Sequence, residues 1–169
     1  MGNALQATHR HLFAKHRFWV PIDRLGESAW KDCTGLDFTI ARIDYFEGGA
    51  NTAFKEGGRQ SFEDLVLSRG VSYDEDILFW LEEVVDIERE YPYGAGDVSP
   101  AYKRNLRVQQ LERNRAKAFQ FQVFDAFPVQ YSPSAFDNDT DEINMEQVTL
   151  TYHYHKRKNL GTPPSATAP

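Results

Sequence analysis

Between Phe18 and His155 the apolar residues of this chain recur mostly at every second position, in short runs cut by Gly, Pro, Asn and Asp. One stretch alone, Ile77 to Val85, repeats at helical spacing. A two-residue period sends side chains alternately to the two faces of a strand, and many short runs of it stack into sheets around one core. The pattern therefore predicts a mainly β (α+β) protein, an antiparallel β-barrel or sandwich with one flanking amphipathic helix. At 169 residues there is room for one such core and a long insertion. Aromatic residues make up 14% of the chain, so large rings must be buried or await a partner.

Phe18, Val20 and Ile22 alternate as a strand, with Pro21 marking an edge or a bulge. Further strands are predicted over residues 29–34, 38–46 and 61–67, and a hairpin over 104–111 and 117–127 turns around 112–115. The last strand, 142–155, switches apolar phase from Ile143 and Met145 to Val148, Leu150, Tyr152 and Tyr154, which predicts a bulge near Glu146 and Gln147. Ser72 and Glu75 form the capping-box pair of a helix. Ile77, Leu78, Leu81, Val84 and Val85 are its inward stripe, and Asp74, Glu75, Glu82, Glu83 and Asp86 its wet face. Around this domain, 17–158 with a long loop at about 87–103, lie a polar N-terminal arm, 1–16, and a Pro-rich tail, 159–169, expected to be disordered.

A formal charge of −6 argues against a surface built to grip nucleic acid. Charges are nevertheless sorted: 74–97 is acidic, while 103–117 and 155–158 are basic. These blocks are either solvated faces or complementary patches that meet between copies of the chain. The single cysteine, Cys33, leaves no internal disulfide or multi-cysteine zinc site, as expected for assembly in a reducing cytoplasm. Residues 1–14 lack the apolar run of a signal peptide. No stretch approaches the ~20 apolar residues of a membrane span, so no membrane anchor is expected. Gln6 stands where a myristoylation signal needs Ser or Thr.

No chemical constellation emerges. Two glycine pairs, Gly48-Gly49 and Gly57-Gly58, lie between strands and not at a helix start, so they read as turn residues that permit positive φ and not as a phosphate cradle. The acidic run from Asp137 has Glu142 where a calcium loop needs glycine and Val148 where it needs a bidentate glutamate. His153 and His155 have the spacing to share one strand face, but a metal would need a third ligand, which His9 or His11 supplies only by coincidence of fold. Cys33 reads as a small buried hydrophobe. No catalytic residue, cofactor or metal site is expected.

The order of motifs carries more. After Phe-x-Val-x-Ile come Trp30, Cys33-Thr34-Gly35-Leu36, Tyr45-x-Glu47-Gly48-Gly49, Lys55-x-Gly57-Gly58, Leu-x-Leu-x-Arg69-Gly70 and Trp80. Then follow Phe124-Asp125-Ala126-Phe127-Pro128-Val129 with Tyr131, and the strand from Ile143 to Tyr152. From about Arg17 to Tyr154 this succession resembles the tail tube protein family of contractile phages and phage-derived, including extracellular, injection systems. The N-terminal arm, the 87–103 loop and the Pro-rich tail depart from it. The resemblance implies hexameric rings stacked into a hollow tube that a contracting sheath drives forward. The implied partners are further copies of the chain, a sheath protein, baseplate and tube-initiator proteins, and DNA or a cargo effector in the lumen. Assembly would occur in the bacterial cytoplasm, in a phage tail or a particle released outside the cell. It also implies that Glu47, Gly48, Gly49, Phe54, Lys55, Glu56, Gly57, Gly58 and Arg59 belong to an extended loop reaching toward neighbouring subunits and the adjacent ring, with Phe54 as an apolar anchor. Two other roles stay open: an initiator or adaptor ring at the baseplate, and a monomeric β-barrel binding module.

Overall fold

The computed structural model describes residues 12–25, 29–49, 51–90, 101–139 and 141–161, with side chains of 87–90 left aside. Most of the expected N-terminal arm, the centre of the 87–103 loop and the end of the Pro-rich tail lie outside the described residues.

Among the described residues, nine strands and one helix follow in the order β1 (Phe18–Trp19), β2 (Asp32–Thr34), β3 (Phe38–Tyr45), β4 (Phe54–Phe62), β5 (Leu65–Gly70), α1 (Asp76–Glu90), β6 (Arg104–Leu111), β7 (Lys117–Pro133), β8 (Met145–Thr151) and β9 (Tyr154–Asn159). All pairings are antiparallel. Seven strands form one sheet in the order β1-β6-β7-β8-β5-β2, with β9 also on β7. The 17-residue β7 joins its two halves: residues 119–124 pair with β6 and β9, and 127–133 pair with β8. Leu106, Val108 and Val123 from one half and Leu65, Leu67, Val148 and Leu150 from the other meet in a single apolar cluster, so the sheet wraps around its core. Burial of this aliphatic set is the main stabilising term.

Helix α1 closes the core with Ile77 and Trp80, both almost fully buried, and with Leu81 packed against the cluster. Leu78 and Val85, expected inside, are on the exposed side with Phe79, so the inward stripe is narrower than the spacing suggested. The capping box does not form either. The helix begins at Asp76, whose carboxylate accepts from the Ile77 N–H at 2.9 Å, while the Ser72 hydroxyl accepts from Asp74 N–H in the preceding turn.

The end of the chain also differs from expectation. No bulge occurs at 146–147: β8 runs straight from Met145 to Thr151, and β9 restarts after a break at Tyr152-His153. Glu146 faces inward in phase with Val148 and Leu150, so the apparent phase switch was a buried carboxylate at an apolar position. Its partner explains it. Arg69, only 4% exposed, donates from Nε to Glu146 and from Nη2 to Asp76 Oδ1 (2.7 Å) and Asp74 O (3.0 Å). The Tyr131 hydroxyl donates to the second Glu146 oxygen at 2.8 Å, and the Trp30 ring stacks on the guanidinium at 5.4 Å. Buried charges are tolerable only when so paired. On the same helix, Trp80 Nε1 donates to Tyr102 O, and Arg104 pairs with Glu83 at 2.6 Å.

Residues 61–67 are not one strand. Residues 61–62 end β4 and 65–67 open β5, with Glu63 and Asp64 between them outside either strand. The cause is Gly35, at φ +94, where a Cβ would lie 1.9 Å from the Asp64 carbonyl oxygen; the two chain segments cross in contact there. Beyond that crossing, β3 and β4 leave the sheet as a separate two-stranded hairpin.

Candidate assembly interface

The hairpin arm is built from residues whose apolar and β-branched character asks for a covered sheet, yet every β3 residue is exposed, and so are all of β4 but Gly58 and Phe62. Phe38, Ile40, Ile43, Tyr45, Phe46 and Phe54 are each at least half exposed, Phe54 at 62%. An isolated two-stranded ribbon is marginal in water, and a large exposed apolar surface marks a site of association.

At its root the arm is anchored firmly. The Glu63 N–H donates to Asp37 O at 3.1 Å, the hydroxyls of Thr39 and Ser61 meet at 2.7 Å, and Phe38 sits opposite Phe62. Phe38, Phe62, Phe121 and Tyr152 surround the His155 ring at centroid distances between 5.3 and 5.9 Å. The Tyr152 hydroxyl donates to Gly35 O and meets His155 Nδ1, each at 3.2 Å. Burial in this box lowers the His155 pKa, and burial, with Asp64, Asp37 and Glu63 nearby, pushes the Tyr152 phenol up to about 12. His153 is exposed beside the strand break, so the two histidines occupy different surroundings. Among the described residues no group of three His, Cys, Asp or Glu is placed to hold a metal.

The two glycine pairs differ in kind. Gly48-Gly49 belongs to the turn at the tip, with Gly49 at φ +88. Gly57-Gly58 is not a turn: both lie inside β4, without positive φ. The register passes from Ile40↔Gln60 to Arg42↔Gly57, so Gly58 and Arg59 together oppose Ala41 in a β-bulge. A Cβ on Gly58 would come to 2.8 Å from Ala41 O and 3.1 Å from Ile43 Cγ1, so close strand approach selects glycine here. The expected loop over 47–59 is thus a tip, described at 47–49 and 51–53, and a returning strand that carries Phe54, Lys55, Glu56, Gly57, Gly58 and Arg59.

Register also sorts the arm's faces. Asp44 pairs opposite Lys55 and takes Arg42 at 2.9 Å, which makes one face of balanced charge. On the other, Ile43 lies opposite Glu56 and Tyr45 opposite Phe54, and these four with Glu47 line an open cleft. The cleft lining is apolar with two carboxylates, Glu47 and Glu56. The 38–46 run reads in sequence as an ordinary strand; the clue to its arm position is the polar set Arg42, Asp44 and Lys55 on the face opposite Ile43 and Tyr45, with Ile40 on the charged face.

Several sheet edges are also unpaired among the described residues, β1 and β9 included. β2 has β5 as its sole partner, and 127–133 of β7 have only β8. The Cys33 thiol, half-buried on β2, is pushed by burial to about 12, so it stays protonated and unreactive near neutrality.

Among the described residues the fold is one wrapped antiparallel sheet with a single helix and a projecting arm. Residues 14–156 match the family model described as T4-like virus tail tube protein gp19. The chain belongs to this tail tube family, and its role is structural, tied to the tube, not enzymatic. Among solved structures it is similar to a chain of the anti-feeding prophage cap, the AFP tube-terminating cap, at 20% identity and TM-score 0.75, covering 94% of this chain and 100% of the other. It is similar at 18% identity and TM-score 0.73 to a chain of the PVC sheath-tube complex of an extracellular contractile injection system in the extended state, covering 95% and 100%. A chain of the anti-feeding prophage baseplate, 6-fold symmetrised, follows at 19% identity and TM-score 0.69, covering 88% and 97%. Among curated protein sequences, none matches.

Proposed function

We propose that this chain is the subunit of the inner tube of a contractile phage tail or extracellular injection particle, stacking as hexameric rings around a lumen and moved by contraction of a sheath. One observation carries this reading: the β3–β4 arm is apolar yet uncovered among the described residues, an element that a neighbouring copy would complete. The unpaired edges of β2 and β7 add to it, because a sheet open at both ends can be continued by neighbours until the ring closes. In this role residues 47–59 reach a neighbouring subunit or the adjacent ring. Sheath, baseplate and initiator proteins are its partners, and DNA or a protein effector is what passes through.

A second reading, a terminal or adaptor ring, is favoured by the likeness to chains of a tube cap and a baseplate. Negative-stain electron microscopy of the purified chain, at rising concentration, separates the two. Tubes many rings long are expected; single rings that never stack would support the terminal role. Dispersed monomers at every concentration, and with sheath and baseplate proteins added, would overturn both in favour of a lone binding module.

A further inference from the structure

The outward face of the sheet half formed by β1, β6 and the start of β7 carries a groove lined by Trp19, Pro21, Arg107, Leu111, Arg115 and Lys117. Trp19 is 40% exposed, and the floor is tied by Gln109 Nε2 donating to Gln120 at 3.1 Å. Of its cations, Arg107 has Asp23 at 3.3 Å, while Arg115 and Lys117 stand exposed at the mouth. On a chain of net charge −6, this is an aromatic, cationic groove. The arm presents the opposite chemistry: Ile43, Tyr45 and Phe54 between the carboxylates of Glu47 and Glu56.

We propose that the acidic, apolar face of the arm docks into the Trp19–Lys117 groove of the next copy of the chain. This rests on the tube reading and names the surface the arm meets. The topology forbids the arm from serving its own groove easily. Its root packs on His155 of β9, at one edge of the order β1-β6-β7-β9, and the groove lies across β1 and β6 at the other. A donor at one edge and an acceptor at the opposite edge make a head-to-tail contact, which propagates from copy to copy and closes when the rotation permits. Eight residues of β3 at about 3.3 Å each give the arm a reach of roughly 25 Å, enough to cross to a neighbour. Complementary charge fixes register, and burial of Phe54 and Tyr45 against Trp19 supplies the apolar contact.

Two double variants test it: Glu47→Lys with Glu56→Lys on the arm, and Arg115→Glu with Lys117→Glu at the groove, leaving the Arg107–Asp23 pair intact. Each alone opposes like charges and is expected to lower sedimentable tube at least tenfold, with an unchanged thermal melt. Mixed in equal amounts, they place every arm on an opposite groove in an alternating ring, and assembly is expected to return. As a second measurement, Glu47→Cys with Lys117→Cys in a Cys33→Ser background, which keeps Trp19 and Phe54, should give, on mild oxidation, a disulfide ladder of oligomers. Variants that assemble alone as the wild type does, or wild-type tubes with neither rescue nor ladder, would overturn the docking while leaving the tube. A wild-type chain that never assembles would overturn the tube reading and this inference with it.

Discussion

At the scale of single residues, Gly35 and His155 carry sharp consequences. A Cβ at Gly35 would collide with backbone, at a φ that side chains rarely adopt, so Gly35→Ala is expected to cost about 3 kcal/mol or more. Gly48, with nothing near its would-be Cβ, should accept alanine within about 0.5 kcal/mol. Chemical denaturation of the pair checks both, and equal midpoints would refute the crossing. His155 has its pKa lowered by burial below the ordinary 6.5. The unfolded chain then binds the proton more readily than the folded one. Stability is full above about pH 6.5, declines as pH falls from there toward the folded pKa, and then levels off. Between pH 7.5 and 5.5 the wild-type melting temperature should fall further than that of His155→Gln; parallel curves would show that this ring is not the titrating group.

At the scale of elements, Arg69 holds β5, β8 and the start of α1 in one buried ion network. Removing one partner strands the rest, so Arg69→Ala should cost about 3–5 kcal/mol. Helix exchange of amide hydrogens near Ile77 should accelerate with it, and unchanged exchange would mean that Trp80 and Ile77 alone fix α1. The same network shows where sequence reading stops. The 104–111 and 117–127 hairpin, the strand content and the lone helix were legible, because period-two patterns and turn residues are local signals. Glu146 was not: a carboxylate at an inward position breaks the apolar phase, and its partner lies 77 residues away. The split of 61–67 into arm and sheet was hidden for the same reason, since Gly35 imposes it across space. Gly57-Gly58 looked like a turn because a bulge glycine and a turn glycine read alike in one dimension. The groove around Trp19 needed β1 laid on β6 before its basic residues meant anything.

At the scale of the whole molecule, the arm is the part whose stability and role come apart. Phe54 is 62% exposed and outside the core cluster, so folding of the wrapped sheet gains almost nothing from it. Covering such a ring by a partner contributes about 1.5–3 kcal/mol. In a proposed ring of six the contact recurs six times, roughly 9–18 kcal/mol for the closed assembly before ordering costs are subtracted. Phe54→Ser should therefore leave the melting temperature of the monomer within about 2 °C of wild type. It should abolish tubes at concentrations where the wild type forms them, as read by sedimentation and electron microscopy. A folded variant that still builds normal tubes would remove Phe54 from the interface. A variant that no longer folds would instead show that the arm contributes to the monomer. The exposed pattern along β3 and β4 argues against that second outcome, because a strand that stabilised its own chain would have one face turned inward.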